Sequence, residues 1–499
     1  MTLGELLRDR AKEFADYTAL VLPEEEKLTY KRLNEKVNQL AHFLLEAGIE
    51  KGQKLGILLP NSFEFVISLF AIGKIGAISL PLNNMLTFEE LTFILQDSET
   101  VGLITSEPFT ETGKSLLARV DSLKFLWAVE KLKEECFTER IPSEPSVVSE
   151  DDEVVTLLYT SGTTGFPKGV MLTHSNLISN VKACLNRIKI TPKDNFSCLL
   201  PLFHSFTLTT CILVPFYGGA SSVIIKSLKN FKEVFRQILK SRVTVLIAVP
   251  SVYRILVEAK VPFLLTAFPF RLLNPIRLCV AGGEALAPEV FERFERKFHI
   301  PLLEGYGLTE ASPVVSLLPP HIRKTGSVGP PLEGIEIKIV DENNRELPSG
   351  EVGEILVKGP SIMKGYYNRD EETKVTIRHG WLYTGDLGKL DNQGFLYIVD
   401  RKKDLIVVKG LNVYPKEVED LLYTYPKVKE AAVVGKELAD KEQIPVAYVV
   451  LEEGEEATEE EIRKFLRHSL ASYKIPRRIE FRESLPKSPT GKILKKLLV

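Results

Sequence analysis

The first hundred residues alternate between stretches with helical periodicity and short apolar stretches. Apolar residues recur at helical spacing from Leu33 to Leu44, with Thr29 as a predicted N-cap and Gly48 as the stop. Further strands are predicted at 54–59, 77–82 and 101–105, and further helices at 63–75 and 87–97. Strands separated by helices of this length indicate βαβ units and a largely parallel sheet. The same alternation resumes after residue 154 and runs to about residue 320.

A different pattern begins at about residue 325. Residues 335–339 alternate between apolar and polar side chains, residues 341–344 supply a turn, and residues 354–357 are again strand-like. Alternation with a period of two is typical of a strand with one buried face. An antiparallel β module is therefore predicted from about residue 325 to about residue 400.

The pattern changes again beyond the charged run 401–404. It predicts a helix from Pro415, strands near 430–434 and 445–451, and a second helix after a capping box that opens at Thr458. The predicted fold class is therefore α/β. A large N-terminal domain, residues 1–400, combines βαβ-type sheets with the β module, and a small α+β domain, residues 405–499, follows a hinge at 401–404.

The composition is that of an ordinary globular protein. The 499 residues are 44% hydrophobic and 26% charged, and the formal net charge of −2 gives no reason to expect a nucleic-acid partner. The five cysteines show no paired spacing and no His/Cys metal cluster, which predicts buried thiols in a reduced compartment. The N-terminus lacks a basic segment followed by an apolar core, so no signal peptide is predicted and cytoplasm is the expected location.

The stretch from Asn195 to Ile225 contains no Asp, Glu, Lys or Arg. Its prolines and glycines interrupt any apolar helix of membrane-spanning length, so a buried helix that leads into a strand is predicted. Such an uncharged stretch also suits the lining of an apolar substrate pocket, in which His204 would be the group that titrates near neutrality. A second apolar stretch, Val261 to Phe270, is too short to span and fits a surface contact or core packing. Peripheral membrane contact and a homodimer both stay open.

A loop rich in glycine and hydroxyl groups carries the clearest chemistry. It follows the apolar stretch 154–159 and consists of Thr160, Ser161, Gly162, Thr163, Thr164, Gly165, Phe166, Pro167, Lys168 and Gly169. Glycines let backbone N–H groups approach an anion, hydroxyls add donors and Lys168 adds a positive charge, so the loop is predicted to hold a polyphosphate. It is not the usual P-loop, because Pro167 precedes the lysine and Gly169 follows it. The alternative, a flexible surface turn, does not explain this density of donors.

Two more glycine-containing motifs follow in the large domain. Gly283 and Glu284 come after the predicted strand 276–280, where the glycines either let a flat base lie against the backbone or simply turn the chain. The second motif consists of Glu304, Gly305, Tyr306, Gly307, Leu308, Thr309 and Glu310. Its aromatic ring suits stacking on a base. Glu310 is a candidate Mg²⁺ ligand, because a carboxylate beside triphosphate is favourable only with a cation between them.

Three further segments carry charged candidates. Asp386 lies in a Thr-Gly-Asp turn and is suited to accept hydrogen bonds from both ribose hydroxyls, although a plain turn explains it equally well in isolation. Arg401 and Lys403 belong to a charged run that also suits a solvated linker. Lys492 lies in a loop shaped by prolines and a glycine near the C-terminus, where an exposed solubilising charge is the alternative.

The order of these motifs resembles the adenylate-forming superfamily, which includes acyl-CoA synthetases, luciferases and peptide-synthetase adenylation domains. The 160–169 loop matches its phosphate loop, 304–310 its second core motif, Arg401 its second ribose contact, Lys403 its hinge and Lys492 its catalytic lysine. The resemblance covers about residues 10 to 495 and, between 326 and 419, is greatest to prokaryotic fatty-acyl-CoA synthetases. Val407 stands where luciferases carry a lysine for their second half-reaction, which argues against luciferase-like oxidation.

The resemblance implies two half-reactions that use ATP, Mg²⁺ and coenzyme A. First, a carboxylate attacks the α-phosphorus of ATP and expels pyrophosphate, with Lys492, Lys168 and Mg²⁺ on Glu310 stabilising negative charge. The small, mobile C-terminal domain then rotates at the hinge, and the thiol displaces AMP. Gly410 would face the pantetheine tunnel, although a turn residue explains this glycine as well. His204 would gate the acyl pocket or orient the carboxylate, unless it is a hydrogen-bonded core histidine.

The substrate and the acceptor stay open within this chemistry. A medium- or long-chain fatty acid is the expected substrate and coenzyme A the expected acceptor. The alternatives are acyl carrier protein as the acceptor, an aryl acid as the substrate, and a non-catalytic nucleotide-binding protein on the same fold.

Overall fold

Local signals place the helices and strands close to where the apolar periodicity predicts them. The computed structural model of the chain describes residues 1–137, 143–160, 167–228, 230–259, 274–408, 411–437, 443–487 and 493–498. The predicted first long helix runs from Tyr30 to Glu46, and the Thr29 hydroxyl accepts a hydrogen bond from the Arg32 amide. The capping box at Thr458 opens the helix Glu459–Arg467, as predicted.

The strands in chain order are β1 Thr18–Leu22, β2 Glu26–Thr29, β3 Lys54–Leu58, β4 Ile78–Pro81, β5 Gly102–Thr105, β6 Phe125–Ala128, β7 Val154–Thr160, β8 Lys168–Thr173, β9 Asn195–Cys198, β10 Ser221–Ile224, β11 Val245–Ala248, β12 Leu278–Ala281, β13 Leu302–Gly307, β14 Val314–Leu317, β15 Glu336–Val340, β16 Gly353–Lys358, β17 Gly365–Tyr366, β18 Ile377–Arg378, β19 Trp381–Leu390, β20 Leu396–Arg401, β21 Ile406–Val408, β22 Leu411–Val413, β23 Val428–Glu437, β24 Gln443–Leu451 and β25 Arg478–Phe481.

The α-helices are α1 Leu3–Glu13, α2 Tyr30–Glu46, α3 Phe63–Lys74, α4 Phe88–Asp97, α5 Thr110–Arg119, α6 Val129–Glu135, α7 His174–Arg187, α8 Ser205–Thr207, α9 Val214–Tyr217, α10 Phe231–Lys240, α11 Pro250–Glu258, α12 Pro288–Phe298, α13 Asp370–Thr376, α14 Pro415–Thr424 and α15 Glu459–Arg467. A π-helical segment, Leu208–Leu213, joins α8 to α9.

Two mixed sheets form the base of the large domain. In the described residues, one sheet has the strand order β14-β13-β12-β11-β9-β10-β1-β2 and the other has the order β17-β8-β7-β4-β3-β5-β6. Most neighbouring strands are parallel, as predicted, but β1–β2, β7–β8, β8–β17 and β13–β14 are antiparallel. The predicted strand–helix alternation after residue 154 is therefore wrong at β7–β8. Only residues 161–167 separate these strands, which is too short for the helical crossover that a parallel pair needs.

The predicted β module is an antiparallel sheet. Its strands pair in the order β15-β16-β19-β18, and β20 pairs with β19. The register places Asp386 on β19 directly opposite Arg401 on β20. Two candidate residues from separate motifs are thus brought together by strand pairing.

The small C-terminal domain has hydrophobic clusters of its own. Within the described ranges, every buried member of these clusters lies between Ile406 and Leu485, whereas the clusters of the large domain end at Leu396. The short 3₁₀ turn Lys402–Asp404 connects β20 to β21. The fold class is therefore confirmed, with a large α/β domain and a small α+β domain.

The uncharged stretch 195–225 is buried as predicted. It forms β9, then the continuous α8, π-helical and α9 segment, and then β10. Among the described residues, no helix combines the length and the apolar character needed to cross a membrane. The second apolar stretch, Val261 to Phe270, lies outside the described residues.

Candidate active site

A large cavity opens where the two sheets, the β module and the small domain meet. Its volume is about 2040 Å³, and residues from all four of these parts line it. The described candidates that line it are Thr160, Lys168, His204, Gly283, Glu284, Glu304, Gly305, Tyr306, Thr309, Glu310, Asp386, Arg401 and Lys403. The structure therefore brings together candidates that lie on both sides of the β module in sequence.

Asp386 is held from two directions at the wall formed by β13, β19 and β20. The Tyr306 hydroxyl donates to Asp386 Oδ2 at 2.6 Å, and Arg401 Nε lies 3.1 Å from Oδ1. Burial, followed by the charge of Asp386, raises the pKa of Tyr306 well above its usual range, so this hydroxyl stays a donor. Each carboxylate oxygen still has a second lone pair, so the cluster suits a pair of neighbouring hydroxyls on a ligand.

Glu310 lies on a short 3₁₀ turn, Thr309–Ala311, at the base of the cavity. The Tyr366 hydroxyl donates to Glu310 Oε1 at 2.9 Å, and burial raises the pKa of this carboxyl group. No group of three or more His, Cys, Asp or Glu side chains is arranged as a metal site in the part of the chain that the structure describes. A single, partly buried carboxylate fits Mg²⁺, which binds few protein ligands and completes its shell with phosphate oxygens and water.

The ends of the phosphate loop are fixed by strand pairing. Thr160 pairs with Lys168 across β7 and β8, and both residues line the cavity. The Lys168 ammonium forms an ion pair with Glu372 and lies 5.4 Å from the centre of the Tyr366 ring. Its charge is therefore already compensated. Ser161, Gly162, Thr163, Thr164 and Gly165 lie outside the described residues.

The turn at Gly282, Gly283 and Glu284 after β12 lets the backbone lie close to the aromatic ring of Phe206. A Cβ atom added at Gly282 would lie 2.9 Å from the Phe206 ring, and Gly283 has a φ of +86° that glycine adopts readily. Glu304, in the middle of β13, is 5% exposed and accepts a hydrogen bond from the Leu286 amide at 3.1 Å. Burial raises the pKa of Glu304 to about 7.

Glu304 makes stability depend on pH. Because its folded-state pKa of about 7 exceeds the unfolded value of about 4.3, the folded protein binds this proton more tightly. The contribution of Glu304 to the free energy of unfolding is present at low pH and is lost as pH rises from about 4.3 to about 7. We therefore expect Glu304→Gln to raise the free energy of unfolding at about pH 8, on the order of 2 kcal/mol, and to have little effect at about pH 4.

Chemical denaturation at both pH values measures this effect. Glu292→Gln on the exposed face of α12 is the matched control and should change neither value. An equal gain for Glu304→Gln at both pH values would contradict the role assigned to burial.

His204 lies at the start of α8 and faces the cavity. The Phe206 amide donates to His204 Nδ1 at 3.3 Å, and the neighbouring Ser205 hydroxyl lies 3.0 Å from the Thr309 hydroxyl. The side chain is partly exposed in the cavity wall. This placement favours a pocket residue over the core-histidine alternative.

The segment around Lys492 reaches the cavity from the small domain. Lys487 pairs with Ile493 in an isolated β-bridge, the Leu494 amide donates to the Pro486 carbonyl at 2.8 Å, and Lys487, Ile493 and Leu494 line the cavity. Lys492 itself lies outside the described residues, as does Gly410, although the flanking strands β21 and β22 form a hairpin.

Two residues of the cavity wall, Tyr366 and Arg254, and one residue that pairs with the wall, Glu372, are absent from the sequence-based candidates. Tyr366 donates a hydrogen bond to Glu310, and Glu372 forms an ion pair with Lys168. Arg254 on α11 donates a hydrogen bond to the Lys429 carbonyl of the small domain. Tyr366 follows a glycine in the Met-Lys-Gly-Tyr-Tyr stretch, which is the one local signal for it. Glu372 and Arg254 lie on ordinary helical surfaces, so the sequence offers no comparable signal for them.

Comparison with known proteins decides the family. Residues 7–367 match the family described as AMP-binding enzyme, and residues 417–492 match the AMP-binding enzyme C-terminal domain. The chain is 33% identical to the long-chain-fatty-acid–CoA ligase of Bacillus subtilis (strain 168), an alignment that covers 100% of this chain and 94% of the relative. The chain belongs to the acyl-CoA synthetases of the adenylate-forming superfamily. The earlier resemblance is thereby confirmed.

Solved structures of acyl-CoA synthetases share this fold. An anthranilate CoA ligase in complex with anthranoyl-AMP matches with a TM-score of 0.92 and 28% identity, over 100% of this chain and 96% of that one. The o-succinylbenzoate CoA synthetase of Bacillus subtilis, in complex with ATP and magnesium, matches with a TM-score of 0.87 and 32% identity, over 99% and 98%. Acid–CoA ligation with adenylation chemistry is therefore the activity class, and ATP and coenzyme A are substrates of the family.

Proposed function

We propose that this synthetase activates a medium- or long-chain fatty acid as acyl-AMP and transfers the acyl group to coenzyme A. The observation that carries the substrate class is a group of neighbouring, almost entirely apolar residues in the cavity lining, which we call the apolar extension. It is lined by Cys184, Ile188, Phe196, Thr210, Val214 and Leu317. These residues come from α7 and the loop after it, β9, the π-helical segment, α9 and β14, most of which contact one another in the core.

The extension suits an alkyl chain. Its six lining side chains are uncharged, and five of them are apolar. Burial of each CH₂ group contributes about 0.8 kcal/mol, so a long tail gains affinity from such a wall without any polar contact. The π-helical segment supports the same role, because single π-helical turns are frequent at functional sites. A substrate carboxylate near His204 and Thr309 would point its tail into this extension.

In the adenylation step each residue would act through charge or position. Asp386, with Tyr306 and Arg401, would hold the ribose, and Lys168 would exchange Glu372 for the departing pyrophosphate. Lys492 would stabilise negative charge at the α-phosphate. Mg²⁺ bound through Glu310 would compensate the charge of the phosphate oxygens when it is present.

The thioester step would require a rearrangement of the small domain. We propose residues 401–404 as the domain boundary and Lys403 as the hinge, because the hydrophobic clusters divide on either side of this segment. Rotation there would remove Lys492 from the cavity and bring Gly410 towards the pantetheine arm of coenzyme A. Acyl carrier protein as the acceptor remains the alternative for this step.

An aryl acid is the second candidate substrate. The anthranilate and o-succinylbenzoate ligases favour it, since their overall folds match this chain closely. Succinylbenzoate carries a second carboxylate and anthranilate an amino group. A pocket for either would need a polar or charged partner for that group. The polar member of the apolar extension is Thr210, and its hydroxyl already donates to the Phe206 carbonyl at 2.7 Å.

Pyrophosphate release against a panel of acids tests the proposal. We expect AMP and pyrophosphate as products, with kcat/KM rising along the linear alkanoates by up to about fourfold per CH₂ group until the extension is filled. Thioester formation is then compared with coenzyme A and acyl carrier protein as acceptors.

Two outcomes would contradict this proposal. A higher kcat/KM for anthranilate or 2-succinylbenzoate than for every alkanoate would assign an aryl substrate. Formation of ADP in place of AMP and pyrophosphate would refute adenylation itself.

A further inference from the structure

Arg254 on α11 of the large domain contacts the small domain directly. Its guanidinium carbon lies 4.5 Å from the centre of the Tyr423 ring, and Nη1 donates to the Lys429 carbonyl oxygen at 2.6 Å. Tyr423 belongs to α14 and Lys429 to β23. All three residues line the central cavity. A single side chain thus holds two elements of the small domain at once.

The chemistry of the contact requires arginine. A planar guanidinium can stack on an aromatic face while its edge donates a hydrogen bond, whereas the compact ammonium of lysine cannot do both in the same geometry. Tyr423 is itself fixed, because its hydroxyl donates to the Ala431 carbonyl at 3.2 Å. The partner surface is therefore pre-formed within the small domain.

A second set of bonds crosses close to the proposed hinge. The Lys416 amide donates to Asp400 Oδ2 and the Lys416 ammonium to the Ile398 carbonyl, both at 2.9 Å. Asp400 and Lys416 are near in sequence, so these bonds lie beside the pivot. Arg254 lies on α11, outside the hinge segment, so its contact joins the two domains independently of the hinge and constrains rotation of the small domain.

We propose that Arg254 is a positioning residue for the adenylation step. Its contact with Tyr423 and Lys429 holds the small domain in the orientation in which the segment next to Lys492 lines the cavity. This inference rests on the proposed function, since it assumes that Lys492 acts in acyl-AMP formation. Arg254 would not contribute to thioester formation, because that step uses a different orientation of the small domain.

Separate measurement of the two half-reactions tests this role. For Arg254→Ala we expect acid-dependent pyrophosphate release to fall about five- to tenfold, as loss of a partly exposed cation–π contact and one hydrogen bond predicts. Thioester formation from supplied acyl-AMP and coenzyme A should stay within about twofold of the unaltered enzyme. The rate of pyrophosphate release by Arg254→Lys should lie between that of Arg254→Ala and that of the unaltered enzyme.

Two further variants sharpen the result. Tyr423→Leu should reproduce the effect of Arg254→Ala, and the double variant should be no slower than either single one, because both remove the same contact. Arg293→Ala is the matched control, since Arg293 is exposed on α12 and pairs with Glu289 of its own helix. Equal losses in both half-reactions, or unchanged pyrophosphate release in Arg254→Ala, would overturn the proposal.

A readout without chemistry separates this inference from the proposed function. Lys402 and Lys403 are exposed at the proposed hinge, so trypsin should cleave there faster in Arg254→Ala than in the unaltered protein. An unchanged cleavage rate would overturn the role of Arg254. Absence of pyrophosphate release by the unaltered protein with every acid would refute the proposed function instead.

Discussion

Lys492→Ala is expected to lower acyl-AMP formation at least about 100-fold, because the proposed site would lose the full positive charge that we assign to stabilising the transferring phosphoryl group. Lys492 lies outside the described residues, but Ile493 and Leu494 line the cavity and are bonded to Lys487 and Pro486. The chain therefore enters the cavity wall immediately after this lysine. Thioester formation from supplied acyl-AMP should change little, since the lysine has left the site by then.

Quenched-flow measurement of acyl-AMP and a thioester assay with supplied acyl-AMP check the two parts of this prediction. Lys496→Ala is the matched control, because Lys496 is an exposed lysine of the same segment that also lines the cavity. An unaffected Lys492→Ala would overturn the role assigned to this lysine. Equal losses in the two variants would reduce that role to one of general positive charge.

Asp386→Asn is expected to raise the KM for ATP by about 10- to 100-fold, as the loss of hydrogen bonds to a charged group predicts. The side chain is 5% exposed and satisfies both the Tyr306 hydroxyl and the Arg401 guanidinium. An amide of the same size keeps one acceptor oxygen but presents an NH₂ group to the other donor. The proposed ribose site would therefore lose a charge and gain a clash between donors.

Initial rates at varied ATP, together with calorimetric titration of AMP, measure this loss. Asp391→Asn is the control within the same β module, since Asp391 pairs with Lys324 at its partly exposed turn. Its KM for ATP should stay near that of the unaltered enzyme. A KM that is unchanged in Asp386→Asn would remove this residue from the nucleotide site.

Local physics explains what the sequence predicts well. The N-caps at Thr29 and Thr458 and the apolar periodicity of α2 act within a few residues, so the helix bounds follow from short stretches of chain. The alternating pattern of β15 and β16 likewise predicts the antiparallel module. The family motifs add the candidate residues of the cavity, because each motif is itself a short run.

Contacts between distant segments explain what the sequence does not reveal. The pairing of Lys168 with Glu372 and the stacking of Arg254 on Tyr423 depend on how β8 meets α13 and how the small domain meets α11. Each partner alone is an ordinary residue on a strand end or a helix. The antiparallel pairing of β7 with β8 is hidden for a related reason, since an apolar stretch such as 154–159 is compatible with either direction of pairing.

The absence of a side chain at Gly282 links the proposed nucleotide region of the cavity to the proposed acid region. Any Cβ atom there would push on the Phe206 ring, which is itself part of the cavity lining beside His204. In the function proposed above, the Gly282 backbone would face the nucleotide and the Phe206 ring would face the acid, so the two proposed regions share one part of the cavity wall. Changes that reshape the acid pocket through Phe206 will consequently alter nucleotide affinity as well, so the two specificities are expected to evolve together.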